Sequence, residues 1–379
     1  MIPRLLKSVI DQRLKIAKKA IIIVGPRQTG KTTLLKEIVE EKDNYLFLDG
    51  DDPFVREQLT DISLEKLKQV IGKVQTIFID EAQRISNIGI TLKLITDNFP
   101  ECQLFVTGSS ALELGDGINE PLTGRKWELQ LFPISWAEFQ QYFGYMQAHA
   151  QLDNRILYGM YPEVINAVGY EREVLIELMS SYLYKDVLSL SGIRRPEIIE
   201  RLLKALALQV GQEVSYNELS NLVGADKNTI INYINILEKT FVIFRLSPFS
   251  RNLRNEISTT RKIYFYDNGL LNAVISNFMN LENRNDKGAL WENFLISERK
   301  KHLHYSNIKA NTYFWRTKSR QEIDYIEERD GIISSFEFKF KPRKVKPPIT
   351  FTKAYPNATF EIISKENFLD FLPIADPSN

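Results

Sequence analysis

Residues 25–32 read Gly25-Pro-Arg-Gln-Thr-Gly30-Lys31-Thr32 and follow directly on a five-residue apolar run, Ala20-Ile-Ile-Ile-Val24. This is the spacing G-x-x-x-x-G-K-[ST], in the one context where it has a mechanism, between a strand and a helix. Gly25 and Gly30 let the backbone N–H groups of Pro26's neighbours, Arg27, Gln28 and Thr29, wrap a polyphosphate, and the helix predicted over Thr33 to Val39 adds the partial positive charge of its N-terminus. Lys31 can reach β and γ oxygens, and the Thr32 hydroxyl can ligate Mg²⁺. ATP and Mg²⁺ are therefore the expected ligands.

A loop of this kind demands a buried parallel sheet around it, and the sequence supplies the strands. Tyr45-Leu-Phe-Leu48, Thr76-Ile-Phe-Ile79, Gln103-Leu-Phe-Val106 and Trp127 to Phe132 alternate with helical stretches, which predicts an α/β doubly wound sheet covered on both faces. The strand at Thr76 ends in Asp80-Glu81. Asp80 is the expected second carboxylate beside Mg²⁺, and Glu81 the group that polarises the attacking water. The strand at Gln103 ends in Thr107-Gly-Ser109-Ser110; a hydroxyl there, Ser109 for choice, could position the γ-phosphate or the water, and a plain polar turn is the alternative.

Gly25 to Thr32, Asp80-Glu81, Thr107 to Ser110, the pair Gly124-Arg125 before Leu131-Phe-Pro-Ile-Ser-Trp136, and Gly159-Met-Tyr-Pro-Glu163 together resemble the AAA+ ATPases of a widespread prokaryotic family with a C-terminal domain of uncharacterised function. The resemblance covers nearly the whole chain. It implies that the Thr-Gly-Ser-Ser segment is a sensor at the end of the fourth strand, that Arg125 is a candidate arginine finger supplied to a neighbouring subunit, and that the chain assembles with itself, a hexameric ring being the expected form. A guanidinium can neutralise charge developing on the γ-phosphoryl. Read from the residues alone, Arg125 is equally a surface side chain in a salt bridge.

After a predicted all-helical stretch from Leu152 to about Leu208, Val214 to Val223 reads as a short amphipathic helix, Gly224 as a turn, and Asp226 as the cap of a second helix with Ile230, Ile234 and Leu237 on one side. Phe241 to Leu246 and Lys262 to Tyr266 form an expected hairpin, so that the segment has the order of a winged helix, which the resemblance also implies. Lys227, Asn228, Asn232, Arg251 and Arg254 are then candidate DNA contacts; such modules also contact proteins. Further on, Glu292 opens a helix, Asp324 lies in a strand-like run, and Glu337 and Lys339 share one face of another. Glu, then Asp, then Glu-x-Lys resembles the restriction-endonuclease-like PD-(D/E)xK fold. It implies that Glu292, Asp324 and Glu337 could hold a divalent ion with Lys339 assisting water, or that a nuclease-like domain now only binds. Lys339, Lys341, Arg343, Lys344 and Lys346 form a basic stretch. His302 and His304 are expected as neighbours on one strand face, on the surface.

The expected order is an AAA+ P-loop core at 1–145, a helical lid at 146–195, a winged helix at 196–280 and a nuclease-like α/β domain at 281–379. With 49 Lys+Arg against 48 Asp+Glu, the whole chain gives no electrostatic reason to favour DNA, so that partner rests on local patches. The single cysteine, Cys102, excludes an internal disulfide or a Cys-rich metal cluster. No apolar run near the start approaches the roughly 20 residues of a membrane span, and a cytoplasmic protein is expected. The leading expectation is an ATP-hydrolysing DNA motor or remodeller. A nucleotide-dependent switch acting on protein partners and an ATP-gated nuclease are the alternatives.

Overall fold

The computed structural model describes residues 1–109, 121–182, 187, 193, 195–249, 260–317 and 319–373. They divide into two compact units, one of Pro3–Pro133 with Lys239–Phe241, the other of Met1–Ile2, Ile134–Glu238 and Val242–Asn379.

The amino-terminal unit is α/β. Helix α1 (Leu5–Ile16) precedes β1 (Ala20–Val24), α2 (Lys31–Val39), β2 (Tyr45–Asp49), α3 (Pro53–Leu59), α4 (Leu64–Ile71), β3 (Thr76–Asp80), α5 (Ile88–Asn98), β4 (Gln103–Gly108) and β5 (Lys126–Gln130). The five strands are all parallel, in the order β2-β3-β4-β1-β5. Every residue of β1 and β3 is buried, whereas the edge strand β2 is half exposed. Unbroken Ile, Val and Phe runs are what a strand covered on both faces requires. Val24 lies beside Gly108, and Ile79 beside Val106. The loop after β1, the carboxylates ending β3 and the hydroxyls ending β4 therefore share one edge of the sheet.

The carboxy-terminal unit begins with helices: α6 (Trp136–Phe143), α7 (Tyr145–Ala150), α8 (Leu152–Tyr158), α9 (Pro162–Asn166), α10 (Glu171–Tyr182) and α11 (Pro196–Leu208). The segment Tyr145 to Asp153, which shows no apolar periodicity in sequence, is nonetheless helical, since Ala148 and Leu152 suffice to anchor two short helices. Then come β6 (Glu213–Ser215), α12 (Tyr216–Val223), α13 (Lys227–Lys239), β7 (Ile243–Pro248), β8 (Thr260–Phe265), α14 (Asn268–Val274) and α15 (Lys287–Tyr305). The chain closes with β9 (Asn311–Arg316), β10 (Glu322–Arg329), β11 (Ile332–Phe338), α16 (Ile349–Ala354), β12 (Thr359–Ile363) and α17 (Phe368–Phe371). These strands form one mixed sheet in the order β12-β11-β10-β9-β7-β8-β6. The β7–β8 hairpin is antiparallel, and β7 joins the later strands through a parallel pairing with β9.

Two expectations change. Val214 belongs to β6, paired with Arg261, and the helix starts only at Tyr216. His302 and His304 lie in the last turn of α15. Alternation of apolar and polar residues reads as a strand only when one face is wet, and α15 is buried on most sides, including Leu290, Trp291, Phe294, Leu295, Ile296 and Leu303.

Asp267 ties the helical and sheet layers of this unit together. Its carboxylate accepts from Gly269 N (2.8 Å) and Leu270 N (3.2 Å), capping α14, and from Met160 N (2.7 Å). A Cβ on Gly159 would stand 2.0 Å from Asp267 Oδ1, and Gly159 has φ +75°, so the Gly159-Met-Tyr-Pro-Glu163 segment has a structural reason for its glycine.

Candidate functional site

The loop between β1 and α2 is built from close approaches. A Cβ on Gly25 would lie 2.2 Å from the Leu131 carbonyl oxygen, so only glycine passes there. Gln28, exposed at the loop's tip, has φ 56°, and Gly30 caps α2. Pro26 is buried and Arg27 half-buried. Thr29 is fully buried and its hydroxyl donates to Pro26 O at 2.9 Å. Lys31 is folded against its own loop, donating to Gly25 O (2.9 Å) and Pro26 O (2.7 Å). Thr32 is half-buried at the start of α2 and Thr33 exposed beside it.

Asp80 ends β3 at 3% exposure and accepts from the Thr107 hydroxyl and from Glu81 N (3.1 Å). Glu81 has φ 47°, a left-handed turn that carries its carboxylate off the strand. Gln83 Nε2 donates to Glu81 Oε2 (2.5 Å) and to Ser109 Oγ (3.0 Å), linking the ends of β3 and β4. Ser110 lies outside the described residues. The chemistry of this donor set fits a magnesium nucleotide: Thr32 and Asp80 would offer hard oxygen ligands, and Lys31 with the loop amides would meet phosphate.

Two residues of the site carry no signal in the sequence. Gln83 is silent because a glutamine in a turn belongs to no pattern. Arg4 sits just before α1, remote in sequence from the loop, yet it is only 9% exposed and its guanidinium donates to Thr29 O (2.5 Å) and Phe132 O (2.6 Å), bracing the loop.

Arg125 stands elsewhere. Its carbonyl accepts from Ala20 N (3.0 Å), at the amino end of β1, and its side chain, 42% exposed, pairs with Asp97 at 2.5 Å. Five strand residues at about 3.3 Å each separate that end from the phosphate loop, so Arg125 does not reach the loop of its own chain.

In the carboxy-terminal unit Lys227, Asn228 and Asn232 are exposed along α13, whose opposite face buries Ile230, Tyr233, Ile234 and Leu237. Arg251 and Arg254 lie outside the described residues. Lys341, Arg343, Lys344 and Lys346 follow β11, and all four are exposed.

Glu292, Asp324, Glu337 and Lys339 do come together, around a residue that no motif marks. Lys262 on β8, at 1% exposure, pairs with Glu292 (3.2 Å) and Glu322 (2.5 Å). Tyr264, two residues along, donates to Glu292 Oε1 at 2.6 Å. Asp324 Oδ2 accepts from Phe338 N at 2.8 Å, and Lys339 Nζ donates to Glu337 Oε1 at 2.6 Å. Burial opposes charge on Lys262, but Glu292, Asp324 and Glu322 together hold its affinity for a proton above that of an ordinary lysine. Burial pushes Glu292 up to about 7 against the pull of Lys262, and raises Asp324 and, with help from the Asp324 charge, Glu337. Among the described residues no three His, Cys, Asp or Glu side chains are arranged to hold a metal ion. The residues do not fit the divalent ion that the nuclease-like resemblance implies. The clue available in sequence is slight, a lysine directly before the apolar run Ile263-Tyr-Phe-Tyr266 and next to a second cation, Arg261.

Residues 17–140 match the family model described as "AAA domain", residues 149–282 a "Domain of unknown function (DUF8612)" and residues 287–362 a "Domain of unknown function (DUF4143)". The chain thus carries an AAA domain followed by domains of unknown function, the arrangement expected from the family that its motifs resemble. An uncharacterised protein of Methanocaldococcus jannaschii is 25% identical over 364 residues, covering 85% of this chain and 78% of its own. One of Mycobacterium tuberculosis is 27% identical over 325 residues, covering 84% and 70%. A solved structure described as a Walker-type ATPase of Pyrococcus abyssi aligns with a TM-score of 0.50 at 16% identity, over 73% of this chain and 96% of that one, a likeness of fold. No helix among the described residues is long and apolar enough to cross a membrane.

Proposed function

We propose that the chain hydrolyses ATP at the loop between β1 and α2. The observation that carries this reading is the meeting of Lys31, Asp80, Glu81 and Ser109 at one edge of a parallel sheet, with Glu81 held by hydrogen bonds toward the β4 hydroxyls. Loop amides and the α2 N-terminus bind the phosphates, and Lys31 exchanges its carbonyl partners for β and γ oxygens. Thr32 and Asp80 would hold Mg²⁺, which supplies charge neutralisation on the phosphoryl oxygens. Glu81 takes a proton from the attacking water as it approaches the γ-phosphorus. The test is nucleotide binding followed by a fluorescent ATP analogue, in parallel with phosphate release. Lys31→Ala is expected to lose both, and Glu81→Gln to keep binding while losing turnover. Undiminished hydrolysis by Glu81→Gln would overturn the assignment.

The carboxy-terminal unit, on this reading, grips DNA, as a winged helix would, with α13 and the loop after β11. Supporting it are the outward Lys227, Asn228 and Asn232 and the basic run Lys341, Arg343, Lys344 and Lys346. Phosphate contacts of this kind neutralise the backbone without reading bases, so the logarithm of affinity should fall linearly with the logarithm of salt concentration, with a slope of about one for each phosphate neutralised. Fluorescence anisotropy with duplex, branched and single-stranded DNA measures it. Replacing Lys341, Arg343 and Lys344 by alanine should flatten the slope by about two to three units. Salt-independent or absent binding would favour a switch that acts on protein partners.

A further inference from the structure

We propose that Lys262 is the permanent cation of the carboxylate cluster formed by Glu292, Glu322, Asp324 and Glu337, so that the cluster works without a metal ion. The geometry is that of a filled site. The Lys262 ammonium sits within ion-pair distance of Glu292 on α15 and of Glu322 on β10, while its stem passes the Phe314 ring of β9 with Nζ 5.6 Å from the ring centroid. Its Cα partner across the β8–β6 ladder is Glu213, whose carboxylate is taken by Arg316 at 2.9 Å. A Cβ on Gly211 would lie 3.3 Å from the Glu292 carboxylate, so the chain also closes over the cluster from that side.

Each carboxylate then has an oxygen already committed. Glu292 Oε1 receives both Lys262 and the Tyr264 hydroxyl, Asp324 Oδ2 receives the Phe338 amide, and Glu337 Oε1 receives Lys339. A divalent cation with oxygen ligands at about 2.0–2.6 Å would need several of these oxygens turned inward together. It would also stand beside a buried ammonium that has no route to water, since Lys262 is 1% exposed. A protonated amine at the end of a side chain supplies one positive charge at fixed coordinates. That is enough to hold three secondary-structure elements together, but it does not polarise water as a metal ion does. The cluster is therefore an ion-pair lock joining β8, α15 and β10, and it leaves a phosphodiester uncleaved.

The experiment is a Mn²⁺ titration of the full chain without nucleotide, read by electron paramagnetic resonance, in an Asp80→Asn background that silences the phosphate-loop carboxylate. No Mn²⁺ is expected to bind in a manner sensitive to Asp324→Asn, and supercoiled DNA should remain unnicked with Mn²⁺ or Mg²⁺. Lys262→Gln in the same background should melt several degrees lower and gain one Mn²⁺ site that Asp324→Asn removes again. A Mn²⁺ site or a nicking activity that requires Asp324 while Lys262 is intact would overturn the proposal. So would a folded Lys262→Gln chain that takes up no Mn²⁺. If Lys262→Gln does not fold, the titration of the chain with its lysine in place decides.

Discussion

If Glu81 polarises water as proposed, its carboxylate has to be aimed, and the aiming falls to a neutral side chain two residues along. The Gln83 amide spans Glu81 and Ser109, and its Oε1 is buried with no hydrogen-bond partner among the described residues. A side chain that fixes the direction of a carboxylate in this way acts through near-attack geometry. Gln83→Ala is thus expected to slow ATP turnover about tenfold to a hundredfold while nucleotide affinity stays within about twofold, because misaiming harms the chemical step more than the bound ground state. Steady-state kinetics beside an equilibrium binding titration separates the two. His302 offers a test of a different kind. Burial, and then the Arg299 charge, bring its pKa down to about 4. Between pH 6.5 and about 4 the unfolded chain binds the proton and the folded chain does not, so stability falls as pH falls through that window. His302→Gln should flatten that part of the curve of melting temperature against pH; an unaltered curve would put the titration elsewhere.

At the scale of elements, continuous apolar runs make the parallel strands legible, because a strand buried on both faces needs little more than Ile, Val and Phe. The same reasoning fails on α15, where a helix buried nearly all round has no wet face to set a period. In Leu131-Phe-Pro-Ile-Ser-Trp136 a local pattern, Ser135 followed three residues later by Glu138, accounts for the helix start, but not for Trp136. Ser135 caps α6 in a reciprocal arrangement, its hydroxyl accepting from Glu138 N (3.2 Å) while Glu138 accepts from Ser135 N (2.8 Å). Trp136 N donates to Glu298 at 2.6 Å, and its ring meets Phe294 and Phe368 edge-on. Glu298 lies 162 residues downstream of Trp136, beyond the reach of a window of periodicity. Ser135→Ala should lower stability by about 1 kcal/mol, a cap's usual contribution. Lys301→Met should cost more, about 3–5 kcal/mol, because it leaves the buried Glu298 without the ammonium that now sits 2.6 Å away. Urea unfolding of the two variants measures both, and equal losses would mean that Glu298 is relieved by some other group.

At the scale of the whole molecule, the proposed turnover is either complete in one chain or shared between neighbours. Arg125 lies at the far end of the sheet from the phosphate loop and spends its charge on Asp97, in a pair whose two side chains are 42% and 37% exposed. Exposed pairs of this kind contribute about 0–1 kcal/mol. Arg125 can therefore leave Asp97 for a stronger partner at little cost, and a nucleotide's γ-phosphate on an adjacent subunit would be one. If that happens in a homo-oligomeric ring, Lys31→Ala and Arg125→Ala chains are each inactive alone but complementary when mixed. Some interfaces in the mixture then combine an intact Lys31 with an intact Arg125. ATP turnover of the equimolar mixture should exceed the sum of its parts, and turnover per chain in the unaltered protein should rise with concentration before levelling off. Turnover that is independent of concentration, with no gain on mixing, would leave Arg125 as the partner of Asp97 and make each chain a complete catalyst.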